Sequence, residues 1–193
     1  MHLILASTSP YRRALLERLQ LPFDCVAPDV DETPLPGETA AQLALRLAAA
    51  KARAVSRLHP GALVIGSDQV ASLGERILGK PGGPERAREQ LRASSGNTVV
   101  FHTGIALTCG AADFSARRLV PFRVAFRTLT DAQIDHYLTR EAPWDCAGSF
   151  KWERLGIALF ERLTGEDPTS LEGLPLIALC DLLSEAGHPV LEQ

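Results

Sequence analysis

A chain of 193 residues with 46% hydrophobic and 22% charged residues is long enough for one substantial core and too apolar to be disordered. A net charge of -3 provides no general basic field, which argues against a nucleic-acid polymer as the main partner and leaves room for a small anion held by a few local cations. The four cysteines, Cys25, Cys109, Cys146 and Cys180, are far apart and form no CxxC pair, so reduced, buried thiols are expected instead of disulfides or zinc ligands.

The opening LILASTSPYRRALLERL, residues 3 to 19, gives a buried strand over 3–7 and a helix over 10–19, with Ser9 as N-cap and Pro10 in the first turn. A second strand is expected over 22–27. A long helix follows over 39–58, where Thr39 and Gln42 form a capping-box pattern ahead of the Leu43, Leu47, Ala50, Ala54 stripe, and a third strand over 62–67. This β-α-β-α-β order implies parallel neighbours joined by helical crossovers. From Val70 the texture changes. VASLGERILGKP reads as a hairpin turning near Gly74 and Glu75, PERAREQLRA as a short helix, and VVFHTGIAL and PFRVAF as strands. Thr130 and Gln133 cap another helix through about Thr139, and LPLIALCDLLSEAG supplies a last one ending at Gly187. The expectation is one α/β domain over 1–193, a mixed sheet with flanking helices folded as two lobes about a central cleft and no separable linker. No basic segment precedes the first apolar run, which is too short for a signal peptide, and no stretch approaches ~18 apolar residues, so no membrane partner and a cytoplasmic location are expected. Base rates alone favour a homodimer as the form of any assembly.

Arg12 and Arg13 stand in the first turn of a helix, where the partial positive charge of the amino end favours anions. Arg12 shares the inward stripe with Leu15, Leu16 and Leu19, whereas Arg13 is spaced to pair with Glu17. One role for Arg12 is to hold a phosphate together with Ser7 and the N–H groups of the turn. The other is a snorkelling side chain at a domain edge.

The third strand ends in Gly66, Ser67, Asp68, Gln69, and ligands of parallel α/β sheets gather beyond such strand ends. Asp68 there suits a metal ligand or a general base, against the alternative of a turn aspartate bonded to its own backbone. The run Asp29-Val30-Asp31-Glu32 offers carboxylates that would join Asp68 around Mg²⁺, or else a solvated acidic loop. Lys51 lies on the flank of the second helix's apolar stripe, at the edge of the buried face. GERILGKP, residues 74–81, matches GxxxxGK, but Pro81 replaces the metal-binding hydroxyl and the segment is a hairpin, so it is no P-loop; Lys80 is kept as a phosphate contact. Neither GxGxxG nor GxSxG occurs. Cations, carboxylates and a helix terminus suit metal-assisted attack of water on phosphorus.

In order, LILASTSPYRRALL, DVDET, LALRLAAAKA, VIGSDQV, LGKP, AGSFKWE and LEGLPL resemble the motifs of the Maf family of nucleotide pyrophosphatases, from about residue 3 to 183. The resemblance implies a fold related to the inosine triphosphate pyrophosphatases, a divalent cation (Mg²⁺ or Mn²⁺), and hydrolysis of a nucleoside triphosphate to the monophosphate and pyrophosphate. It carries the family's polar site onto Ser7, Arg12, Glu32, Lys51, Asp68 and Lys80, with Asp68 as proton acceptor, and Asp68 and Glu32 would hold the metal. Tyr11, Gln69 and Glu153 depart from the commoner Arg, Thr and Gln and resemble the branch that acts on 7-methyl-GTP, which usually carries Trp at the first of these positions. The 7-methylguanine ring is cationic, so the Glu153 carboxylate and the Tyr11 face would favour it by about 0.5–2 kcal/mol of cation–π attraction. The family's other implied roles are hydrolysis of dTTP, UTP or further nucleotides and a nucleotide-sensing control of septum formation.

Overall fold

The computed structural model describes residues 2–192. Among the described residues seven strands form a mixed sheet with five α-helices, and the chain divides into two compact units. The first unit runs to Gln69 and takes in His102–Val120 and the chain from Glu166; the second comprises Val70–Phe101 and Pro121–Gly165.

In the first unit β1 (Leu3–Leu5) pairs in parallel with β2 (Phe23–Cys25) on one side and with β3 (Leu63–Leu73) on the other, Leu3 lying opposite Phe23 and Leu63. Parallel pairing requires crossovers, supplied by α1 (Pro10–Glu17) and α2 (Ala40–Leu58). Side chains alternate between two cores. Leu3, Leu5, Leu63, Ile65, Ile105 and Leu107 pack with Leu15 and Leu16 of α1 and with Leu179, Leu182 and Leu183 of α5 (Leu176–Glu185). Ile4, Ala6, Val64 and Ala106 pack instead with Ala48, Ala49, Ala52 and Val55 of α2. Both sheet faces are therefore covered, which is why these strands read as continuous apolar runs.

The α2 face is lined with alanine because the helix lies almost on the strands. A Cβ added at Gly66 would stand 2.1 Å from the Ala48 carbonyl, and one at Gly104 would stand 2.4 Å from that of Ala44. The helix start is fixed by the expected capping box, with Gln42 N donating to Thr39 Oγ1 at 3.3 Å and Thr39 N to Gln42 Oε1 at 3.0 Å.

In the second unit β3 turns at Gly74, φ +57°, into β4 (Arg76–Leu78), its antiparallel partner. Helix α3 (Pro84–Ser94) packs against α4 (Asp131–Glu141), whose Thr130/Gln133 capping box is present. β5 (Thr98–Cys109) and β6 (Phe114–Phe126) pass from one unit into the other along the chain, and β7 (Phe160–Thr164) pairs antiparallel with β6. Phe101, Phe126, Phe150 and Phe160 pack edge to face with ring centroids 4.8–5.6 Å apart.

Three expectations are corrected. The third strand does not end at Ser67 but runs to Leu73, so Asp68 lies within it. β6 begins at Phe114, seven residues before PFRVAF, and β7 was not foreseen. All four cysteines are free, but only Cys109 is buried, and Cys25 is exposed because β2 is a sheet edge. Among the described residues no helix is long and apolar enough to cross a membrane.

Candidate active site

β1 stops at Leu5 opposite Ile65, so Gly66 to Gln69 extend past the end of that neighbour. Ser7 and Asp68 thus emerge at the same end of the parallel pair, as expected, although the strand bearing Asp68 continues. The close seating of α2 at Gly66 brings Lys51 over this end. Its Nζ is 2.6 Å from Asp68 Oδ1 and 2.6 Å from Glu32 Oε1. The Lys51 and Asp68 side chains are only 8% and 11% exposed, whereas that of Glu32 is 60% exposed. Lys51 is therefore not at the edge of the buried face, as its stripe position suggested, but inside it. It is also the cation that makes burial of the Asp68 charge tolerable.

Glu32 arrives on the loop that follows β2. Asp31 Oδ1 accepts from Thr33 N at 2.9 Å, and hydrogen bonding from the Thr33 side chain, then from its backbone, holds the Asp31 carboxyl below its usual range. The loop is moored to α2 by Glu38, whose two oxygens accept from Arg46 Nε at 2.6 Å and Nη2 at 2.8 Å, while Arg46 Nη2 also donates to Thr33 O. This fork holds the Glu38 carboxyl down to about 2.

At the amino end of α1, Ser9 Oγ accepts from Arg12 N at 3.4 Å and Ser9 N donates to Ser7 Oγ at 3.1 Å. The buried Ser7 therefore shapes the turn that precedes the helix. Arg13 makes the expected pair with Glu17, at 3.1 Å. Arg12 points the other way, half-buried, and its Nε donates to the Gly173 carbonyl at 2.8 Å. Burial lowers the Arg12 pKa, and the negative charges of Asp68 and Glu32 oppose that shift. Arg12, Lys51, Asp68 and Glu32 thus form one electrostatic group.

Gln69 turns its amide away from Asp68, with Nε2 donating to Ser170 O at 2.5 Å and to Thr103 Oγ1 at 3.2 Å. The Ser170 carbonyl can only accept, so the amide orientation is set, and Oε1 is the end left to meet a ligand. Tyr11 is 38% exposed beside Arg12 on α1. Lys80 and Glu153 belong to the second unit and are both exposed. Lys80 follows Gly79, whose carbonyl accepts from Gln90 Nε2 at 3.0 Å, and Gln90 Oε1 accepts from Ser149 Oγ. Glu153 lies in an irregular turn, next to Arg154, whose Nε is 3.7 Å from Glu141 Oε2.

Gly66, Ser67, Thr103, Asp167 and Gly173 were not foreseen as part of the site. Gly66 and Gly104, glycines inside apolar strands, were the available signal for close backbone approach. The bonds to Gly173 and Ser170 run to main-chain carbonyls and leave no side-chain pattern to find.

Among the described residues no three His, Cys, Asp or Glu side chains gather as a metal cage. The donor set does fit Mg²⁺ or Mn²⁺ of the kind held by one or two carboxylates with substrate phosphates completing the shell. Two cationic and two anionic side chains cancel, so a triphosphate entering the site would bring negative charge that these residues leave uncompensated.

An α/β unit with a buried lysine–carboxylate group at the end of a parallel strand pair defines a class of small-anion sites. The Maf-like protein family profile matches residues 2–186, and the chain belongs to the Maf family. It is 58% identical over 189 residues to a protein of Nitrosococcus oceani, covering 98% of this chain and 95% of that one. It is 59% identical over 185 residues to one of Polaromonas sp., covering 96% and 84%. With a protein of Bordetella pertussis the identity is 58% over 193 residues, covering 97% and 96%. Each of the three is named 7-methyl-GTP pyrophosphatase. Among solved structures, the Staphylococcus aureus Ham1 protein has a partial likeness, 16% identical with a TM-score of 0.48 over 66% of this chain and 73% of that one.

Proposed function

We propose that this protein hydrolyses 7-methyl-GTP to 7-methyl-GMP and pyrophosphate. The observation that carries the reading is the buried Lys51 ammonium 2.6 Å from both Asp68 and Glu32, with Arg12 in the same electrostatic group. The identity of more than half to relatives bearing that name supports the choice of substrate.

Asp68 takes the proton of the attacking water at Oδ2, the oxygen that Lys51 does not hold, as the water meets the α-phosphorus. Lys51 holds Asp68 Oδ1 at 2.6 Å and so orients the carboxylate. Arg12, its Nε committed to Gly173, directs its terminal N–H groups to the phosphates, and Lys80 keeps the phosphate-contact role that the family resemblance assigns it. Ser7 shapes the turn that offers backbone N–H groups to the same anion. Asp68 and Glu32 would hold the Mg²⁺ or Mn²⁺, which when bound neutralises phosphate charge and polarises the scissile bond. Base selection falls to Tyr11, Gln69 through Oε1, and Glu153, whose carboxylate favours the cationic methylated ring over neutral guanine. The substrate is a free nucleotide, and the reading implies a cytoplasmic enzyme.

The test is pyrophosphate release from purified protein with Mg²⁺ or Mn²⁺, comparing 7-methyl-GTP with GTP, dTTP and UTP. Strong preference for the methylated nucleotide is expected. Equal or better turnover of dTTP and UTP overturns the specificity, and no release from any nucleotide overturns the reaction.

A further inference from the structure

Arg12 and the residues flanking Asp68 are gripped by a segment that the chemistry above touches only at the Gly173 carbonyl, the turn from Asp167 to Ile177. The Asp167 carboxylate, in a residue only 3% exposed, ties this turn at both ends. Its Oδ1 accepts from Thr169 N at 3.0 Å and Thr169 Oγ1 at 2.6 Å, and its Oδ2 from Ile177 N at 2.8 Å. Thr169 Oγ1 in turn accepts from Leu176 N at 2.9 Å. So closed, the turn directs two carbonyls at the site. That of Ser170 accepts from Gln69 and Thr103, and that of Gly173 accepts from Arg12 Nε at 2.8 Å and shares the single Ser67 hydroxyl proton with the Gly104 carbonyl, each 2.8 Å from Oγ.

We propose that this turn is the positioning element of the site, with the Gly173 carbonyl as the group that aims the Arg12 guanidinium at the phosphates. This rests on Arg12 being a phosphate ligand. A guanidinium is planar, so fixing Nε–H fixes the directions of its four remaining N–H donors, and the fork is set before any anion arrives. A lysine has no equivalent of Nε–H and cannot be aimed in this way. Gly173 is needed twice over. Its φ of +94° is the left-handed region that glycine occupies at little cost, and a Cβ there would stand 3.2 Å from Arg12 Nε and 3.4 Å from Nη2. A side chain at 173 therefore pushes on the cation that the carbonyl orients.

The experiment measures the affinity for inorganic pyrophosphate with Mg²⁺, by calorimetry, on wild type, Gly173→Ala, Arg12→Lys and the double variant, with melting temperatures beside each. A merely structural lesion lowers the binding-competent fraction, read as stoichiometry, and leaves the dissociation constant of the competent molecules alone. Positioning predicts that Gly173→Ala weakens the constant about tenfold, as a lost charge-assisted hydrogen-bond geometry does. It also predicts that the double variant binds no more weakly than Arg12→Lys. An unchanged constant in Gly173→Ala, or losses that multiply in the double variant, overturns the proposal and leaves Arg12 as a phosphate ligand. An unchanged constant in Arg12→Lys removes both readings. Should Gly173→Ala not fold, Thr169→Val loosens the same turn without changing side-chain shape; weakened binding supports the proposal and unchanged binding overturns it.

Discussion

Replacing Lys51 by methionine isolates what the buried ammonium contributes. The Lys51–Asp68 contact of 2.6 Å is worth about 6 kcal/mol of Coulomb attraction at an effective dielectric of ~20, most of which offsets the desolvation of the two charges. Removing one partner abolishes the attraction and leaves the desolvation of Asp68, whose side chain is 11% exposed, so the expected loss is about 3–5 kcal/mol. For a chain of 193 residues that lowers the melting temperature by roughly 6–20 °C. Glu32 adds little to this, because at 60% side-chain exposure water replaces the lysine. The assay is thermal unfolding by circular dichroism on Lys51→Met, Asp68→Asn and the double variant. Neutralising Asp68 in the Lys51→Met background is expected to return about 2 kcal/mol or more, the coupling typical of residues in contact. A Lys51→Met variant within about 1 kcal/mol of wild type, or a double variant no more stable than the single, would refute the claim that the pair is a mutually dependent buried unit.

Asp68→Asn is expected to lower turnover by about 100-fold or more with an unchanged circular dichroism spectrum, as loss of a general base does; near-normal turnover would remove its role. Glu153→Gln should reduce the preference for 7-methyl-GTP over GTP by about tenfold while leaving GTP turnover within a few-fold, measured as the ratio of kcat/KM values. An unchanged ratio would show that Glu153 does not read the ring charge. The Glu38 carboxyl, held at about 2 instead of its ordinary 4.5, contributes stability that is fully present above pH 4.5 and is lost as pH falls through 2. Melting curves of Glu38→Gln should therefore lie below wild type near neutral pH and converge with it toward pH 2, and a pH-independent gap would contradict the Arg46 fork as the cause.

The opening of the chain was legible because several signals agree there. Apolar runs, Ser9 with Pro10, and the Thr39/Gln42 box all point to the same β-α-β order, and the i, i+3, i+4 spacing of Arg12, Leu15 and Leu16 is enough to turn that arginine inward. β7 was not legible, since Phe-Glu-Arg-Leu-Thr carries two exposed charges on an edge strand, and residues 114–120 of β6 hid for the same reason. Lys51 was recognised but misplaced. The stripe Leu43, Leu47, Ala50, Ala54 drifts to the edge of the buried face, where Ala50 and Ala54 are only half-buried, whereas Ala44, Ala48, Lys51 and Ala52 are buried, with Ala44, Ala48 and Ala52 lying against glycine. The turn that aims Arg12 escaped because main-chain acceptors are the same at every residue, so only folding reveals which carbonyls meet which donors.

The near contact of α2 with Gly66 and Gly104 also sets a limit on engineering this chain for heat resistance. Replacing glycine with alanine restricts the unfolded chain and is a common route to greater stability wherever the backbone already suits an ordinary residue. Gly61 and Gly79 meet that condition, with no atom within 4 Å of an added Cβ and no left-handed backbone. At Gly66 and Gly104 the same single methyl would act as a wedge under the helix that carries Lys51. An alanine survey of these four glycines would find Gly61 and Gly79 tolerant and Gly66 and Gly104 disabling, because at the latter pair the obstacle is helix backbone, which cannot swing aside as a side chain can.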